Sequence, residues 1–98
     1  VTVVFTDIAA QALVEIGDYI SRDSPPRALQ FIRELRRQAE HLGDMPTRYP
    51  VLTRFRRQGI RRCSFRNYLI FYRIEQDRVA IVHILHGARA YEALLATD

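Results

Sequence analysis

The sequence predicts an α+β domain: an N-terminal strand, then an antiparallel helical hairpin packed on a three- to four-stranded, mainly antiparallel sheet. Three observations carry this. Apolar residues recur at helical spacing twice before Gly43. From Ile60 onward the pattern changes to alternating or continuous apolar runs of strand length. The links between these segments are short and hold Pro, Gly or Asn, which favours neighbours running antiparallel.

Val3 to Phe5 is β-branched and aromatic and reads as a short strand. Thr6 or Asp7 can cap the helix that follows, where Ile8, Ala12, Ile16 and Ile20 form a stripe widened by Ala9, Leu13 and Tyr19. This helix should end near Asp23. Ser24-Pro25-Pro26 starts a second, because serine caps well and proline at the first helical position has no N–H to leave unpaired. Ala28, Phe31, Ile32, Leu35, Ala39 and Leu42 form its apolar side. His41 suits the negative end of the helix dipole, and Gly43 is expected to supply a left-handed stop. Asp44 to Gly59 is a long connection, with an irregular strand expected around Val51 to Phe55.

Ile60 to Phe65 alternates, with Arg62 and Ser64 on one side and Arg61, Cys63 and Phe65 on the other. Arg66-Asn67 reads as a tight turn, with asparagine expected to take the positive φ. Tyr68 to Ile74 is almost continuously apolar and reads as a central strand, with Tyr68, Ile70 and Tyr72 on one face and Leu69, Phe71 and Arg73 on the other. Glu75 to Arg78 turns the chain into a last buried strand, Val79 to Leu85. His86 to Arg89 leaves the sheet, and Tyr91 to Ala96 reads as a helical stub or an extended tail.

The 98 residues are expected to form one domain, with 48% hydrophobic residues sufficient for a core. Cys63 is the sole cysteine, so no internal disulfide or zinc spacing arises, and a reducing cytoplasm is expected. No apolar run approaches the ~20 residues of a membrane span, and the apolar start is too short for a signal peptide. No motif implies a cofactor.

Charge carries more information. All 15 basic residues are arginine, and the net charge is +4. A GC-rich genome favours arginine codons, so the missing lysines decide little; the positions decide more. Between Met45 and Ile74 stand Arg48, Arg54, Arg56, Arg57, Arg61, Arg62, Arg66 and Arg73, without a carboxylate. Such a block attracts phosphates or an acidic partner. Arg89 follows Gly87, where the chain can turn sharply, and its planar fork suits phosphate or carboxylate. His83 and His86 invite an acid–base reading, because an imidazole can act as acid or base, although a histidine inside an apolar strand is more often a satisfied core group. Tyr68 and Tyr72 are expected in the core.

Asn67-Tyr68-Leu69-Ile70-Phe71-Tyr72-Arg73, followed by Val82-His83-Ile84-Leu85-His86-Gly87-Ala88-Arg89, resembles the C-terminal signature of the RelE/ParE toxin superfamily, on its ParE side. Arg27 to Ile32 resembles that family's second helix, and Met45-Pro46 the loop after it. The resemblance implies a toxin of a type II toxin–antitoxin pair, linked to plasmid stabilisation, which inhibits DNA gyrase by binding and is neutralised by a ParD-like antitoxin. It implies no catalytic residue. Arg61, Arg62, Arg66, Arg73, His86 and Arg89 are the candidates for contacting target or antitoxin. The alternative is a RelE-like, ribosome-dependent messenger-RNA endoribonuclease. In that branch basic residues stand where this chain has Leu69 and Ser64, and the tyrosine or histidine of the C-terminal segment falls near Leu95, with Tyr91 as a substitute. Only Arg62 and Arg89 match the basic set. A third reading is a basic nucleic-acid-binding module, since direct nucleic-acid contact is compatible with the charge.

Overall fold

The computed structural model describes residues 1–87 and Leu95. The elements are β1 (Thr2–Phe5), α1 (Asp7–Ser21), α2 (Pro25–His41), a 3₁₀ turn (Thr53–Phe55), β2 (Arg61–Phe65), β3 (Tyr68–Glu75) and β4 (Arg78–His86). The strands form one mixed sheet in the order β1-β4-β3-β2. The last three make an antiparallel meander, and β1 lies parallel to β4, with Thr2 opposite Arg78 and Phe5 opposite Ile81. A parallel pair needs a long connection between its strands, and here the helical hairpin and two strands supply it.

Local chemistry sets the element ends. Thr6 caps α1 by accepting from the N–H of Ala9 at 3.1 Å, and its hydroxyl also donates to the carbonyl of Val82 at 3.2 Å. The cap therefore fixes the helix to the sheet as well as starting it. Ser24 accepts from the N–H of Arg27 at 3.4 Å ahead of a helix that opens on proline. Both tight turns of the meander have two residues, and in each the first takes the left-handed conformation: Arg66 with φ 52° and Gln76 with φ 52°. The positive φ thus falls on Arg66 and not on the adjacent asparagine.

Gly43 is not a left-handed stop. It is needed for close approach, since a Cβ there would stand 2.3 Å from the carbonyl oxygen of Val1, whose nitrogen donates to the Gly43 carbonyl at 2.8 Å. Gly87 works the same way: its N–H donates to the carbonyl of Asn67 at 2.7 Å, and a Cβ would come within 3.2 Å of that oxygen. The strand expected around Val51 to Phe55 is a single antiparallel bridge from Val51 to Arg61 followed by the 3₁₀ turn.

Two apolar clusters lie on opposite faces of the sheet. The larger joins Leu13, Ile16, Leu35 and Ala39 of the helices to Cys63, Ile70, Tyr72 and Ile81 of the strands. The smaller gathers Phe55, Ile60, Phe71, Leu85 and Leu95 on the other face. Fully burying one side chain of this kind contributes roughly 1.5–3 kcal/mol, so the fold depends on both layers. The helix stripe is narrower than the sequence spacing suggests: Ala9, Ala12, Leu13 and Ile16 are buried, whereas Ile8 and Tyr19 stay exposed. Those two lie at the stripe's margin, beyond the sheet that covers its centre. Among the described residues no helix is long and apolar enough to cross a membrane.

Candidate functional site

Strand alternation sorts the candidate arginines. On the helix-covered face, Arg61 lies in register with Tyr72 and donates to the carbonyl of Tyr49. Tyr72 donates its own hydroxyl to the carbonyl of Pro46 at 2.8 Å. Together they fasten the connection after α2 to the sheet, and burial pushes the Tyr72 hydroxyl above the ordinary tyrosine range. Arg61 therefore helps to anchor that connection.

On the opposite face stand Arg62 and Ser64 of β2, in register with Phe71 and Leu69 of β3. Arg62 is exposed, and Leu69 packs against the smaller cluster. Arg73 lies on this face toward the far end of β3, where it pairs with Glu75 at 2.7 Å, and Arg78 reaches the same carboxylate at 3.3 Å. The Arg73 hydrogen bond holds the Glu75 carboxyl below its ordinary value. Arg73 thus serves a local ion pair, although it stands only two residues along β3 from Phe71, the register partner of Arg62, on the same face.

Arg66 and His86 do come together. They line a groove of about 760 Å³ between the β2–β3 turn and the helices, along with Tyr19, Arg27, Phe31 and Tyr68. Its floor is a chain of rings: Phe65 and Tyr68 each lie 5.6 Å from Phe31, and His86 meets Tyr68 edge-on at 5.4 Å. The Arg66 guanidinium lies 5.4 Å from the Phe65 ring and 5.8 Å from Phe31, and bonds Glu34 at 2.7 Å. Burial raises the Tyr68 hydroxyl above its usual value. His83 is half-buried within β4, opposite Phe71, and its Nδ1 accepts from the N–H of Ile84 at 2.9 Å. Arg89 and Tyr91 lie outside the described residues.

A second groove, of about 590 Å³, runs along the outer side of the helical hairpin. Leu13, Val14, Leu29 and Ile32 line it, and Val14 and Leu29 are both more than half exposed. Gly17 faces Ile32 across the hairpin, where an added Cβ would meet it at an ordinary 3.5 Å, so the helix spacing does not require glycine there. An apolar trough between two helices, open to water, suits the apolar side of another helix.

Residues 3–91 match the family model described as ParE toxin of type II toxin-antitoxin system, parDE. The chain belongs to the ParE toxin family. A solved structure entitled "Chromosomal ParDE TA system from P. aeruginosa" shares the fold, with a TM-score of 0.69 at 20% sequence identity, covering 87% of this chain and 94% of that chain. Among curated protein sequences, none matches it.

Within this ParE fold the described candidates, four arginines and one histidine, do not form one site. Arg66 and His86 share the ring-floored groove, Arg62 occupies the opposite face, and Arg61 and Arg73 are tied to local partners. Sequence reasoning missed the apolar trough, although Val14 and Leu29 gave a signal: both are apolar residues off the main helical stripe. It also missed Phe31 as the hub of the ring chain, because spacing alone places that residue in the core.

Proposed function

We propose that this chain is a toxin that binds and inhibits DNA gyrase, and that a ParD-like antitoxin neutralises it by laying an apolar helix into the trough beside Val14 and Leu29. The observation that carries the first half is the register pair Ser64 and Leu69. These are the two positions at which the RNA-cutting branch of the superfamily carries basic groups, and here they face each other as a hydroxyl and an aliphatic side chain. Losing one preorganised charge contact to a phosphoryl-transfer transition state costs about 3–4 kcal/mol, so losing two leaves little cleavage at biological rates. Binding, by contrast, needs no such cluster. Family membership and the open apolar trough support the antitoxin as partner.

The test pairs two assays on the purified toxin. Gyrase supercoiling should be inhibited, and messenger RNA on translating ribosomes should stay intact by primer extension. Codon-specific cuts that disappear in Arg89→Ala, with gyrase unaffected, would replace this reading with the endoribonuclease. Adding the antitoxin should restore supercoiling.

A further inference from the structure

The arginine block recognised in the sequence divides in the fold. Arg61, Arg66 and Arg73 have partners, whereas Arg54 in the 3₁₀ turn and Arg56 and Arg57 directly after it form no ion pair among the described residues. Arg54, Arg56 and Arg57 are exposed, and the ion pairs among the described residues involve only Arg66, Arg73 and Arg78. The nearest carboxylates along the chain are Asp44 and Glu75. This segment is also anchored. Phe55, between Arg54 and Arg56, is 2% exposed in the smaller cluster together with Ile60, Phe71 and Leu85. Leu52 donates its N–H to the Ile60 carbonyl at 2.8 Å, and Ile60 donates to the Phe55 carbonyl at 3.3 Å, closing the turn on itself. Three like charges are thus displayed from a closed turn whose central residue is locked into a core. Among the described residues no carboxylate pairs with any of the three.

We propose that this arginine turn binds the phosphodiester backbone of duplex DNA. A protein partner is the poorer match, because protein interfaces centre on a buried apolar anchor and, among the described residues, the large exposed apolar groups (Ile8, Val14, Tyr19 and Leu29 on the helices, with Val1, Met45 and Ile74 elsewhere) all lie outside residues 53–57. Single-stranded nucleic acid is also a poorer match, since it is held on stacked rings and the one ring in the turn is buried. Guanidinium groups alone suffice for duplex backbone contact, which gives affinity without base specificity. The choice of DNA over RNA rests on the gyrase reading, because gyrase holds duplex DNA. On that basis the turn would let the toxin touch enzyme-bound DNA while its helices engage protein.

The experiment measures fluorescence anisotropy of a labelled 20-base-pair DNA duplex titrated with the toxin alone at several salt concentrations. Each phosphate neutralised contributes about −0.9 to the slope of log K against log salt. The triple variant Arg54→Gln, Arg56→Gln, Arg57→Gln should therefore flatten the slope by about 2.7 and weaken binding by at least tenfold at low salt. Its thermal midpoint should remain near that of the parent, since all three side chains are exposed. A control variant, Arg22→Gln, Arg33→Gln, Arg37→Gln, removes the same charge from the helical hairpin and should leave the slope within one unit of the parent. An equal loss in the control would reduce the effect to net charge and overturn the proposal, as would an unchanged slope in the turn variant. Binding to an acidic peptide or to anionic lipid vesicles, with none to the duplex, would also overturn it; preference for a duplex of RNA would overturn the choice of DNA. Because binding is read without gyrase, the supercoiling assay can fail while this result stands, and the reverse holds as well.

Discussion

Tyr72 and Pro46 are joined by one hydrogen bond, 2.8 Å from the phenolic oxygen to the carbonyl, across 26 positions of sequence. Tyr72 is otherwise wholly enclosed in the larger cluster. Tyr72→Phe keeps the ring and leaves the Pro46 carbonyl without its donor. The expected cost is about 1 kcal/mol, lowering the thermal midpoint by roughly 4–8 °C in a domain of this size. Calorimetry checks it, and an unchanged midpoint would show that water replaces the hydroxyl at no cost. The raised Tyr72 hydroxyl also predicts an alkaline limit. The folded state favours the neutral phenol, so this stability is complete below the unfolded value near ~10 and is lost as pH rises toward the folded one.

Glu75 predicts the acid limit. Its carboxyl is held below the ordinary value by Arg73, so its contribution is present above the unfolded carboxyl value of about 4.3 and disappears as pH falls through the folded one. Glu75→Gln should be slightly less stable than the parent at pH 7 and converge with it near pH 3. Melting both proteins across that range decides the matter; a constant gap would mean that packing, not charge, separates them.

Cys63 is fully buried, and its sulfur accepts from the Gln38 amide at 3.4 Å. It behaves as a small apolar group with a weak polar handle. Cys63→Ser should cost about 1–2 kcal/mol through the buried hydroxyl and should not reduce antitoxin binding. Loss of toxicity at unchanged stability would instead expose a reactive thiol.

Leu29 lies in the hairpin trough, 55% exposed. Leu29→Glu should leave folding within about 0.5 kcal/mol of the parent but weaken the antitoxin complex at least 100-fold, because a charge is then desolvated under the partner helix. Co-purification at rising salt is the direct readout. A complex of undiminished strength would place the antitoxin elsewhere.

Arg89→Ala should relieve growth arrest while moving the thermal midpoint little. The motive is the turn-adjacent guanidinium read from the sequence. Growth curves with induced toxin and a melting curve of the same variant separate the outcomes, and a large stability loss would return this arginine to a structural role.

Alternation along β2 and β3 was legible in the sequence, down to the faces taken by Cys63, Ile70, Tyr72, Arg62 and Phe71, because a period of two leaves little freedom once one face is buried. Both helix starts were legible too, since Thr6 and Ser24 cap by short-range chemistry. What the sequence concealed depends on contacts between distant segments. Gly43 looked like a helix stop because nothing nearby revealed that the Val1 carbonyl would press against it. For Arg61, a candidate contact in the sequence, nothing nearby revealed the bond to the Tyr49 carbonyl 12 positions earlier. The grouping of Arg66 with His86 likewise depends on how the hairpin lies over the meander.

The pairing of β3 with β4 contains one irregularity: Tyr72 opposes Ile81 and Phe71 opposes His83, leaving Val82 as a residue without a counterpart. In a regular strand, adding or deleting one residue turns every later side chain to the wrong face. At this bulge the extra residue is already absorbed, so removing Val82 would keep Ile84 and Leu85 on the faces they now occupy. The cost would be confined to the Val82 carbonyl that receives the Thr6 hydroxyl and to one side chain of the smaller cluster. Val82 therefore marks a place where the strand's length can drift by one residue over evolutionary time without the sheet being rebuilt.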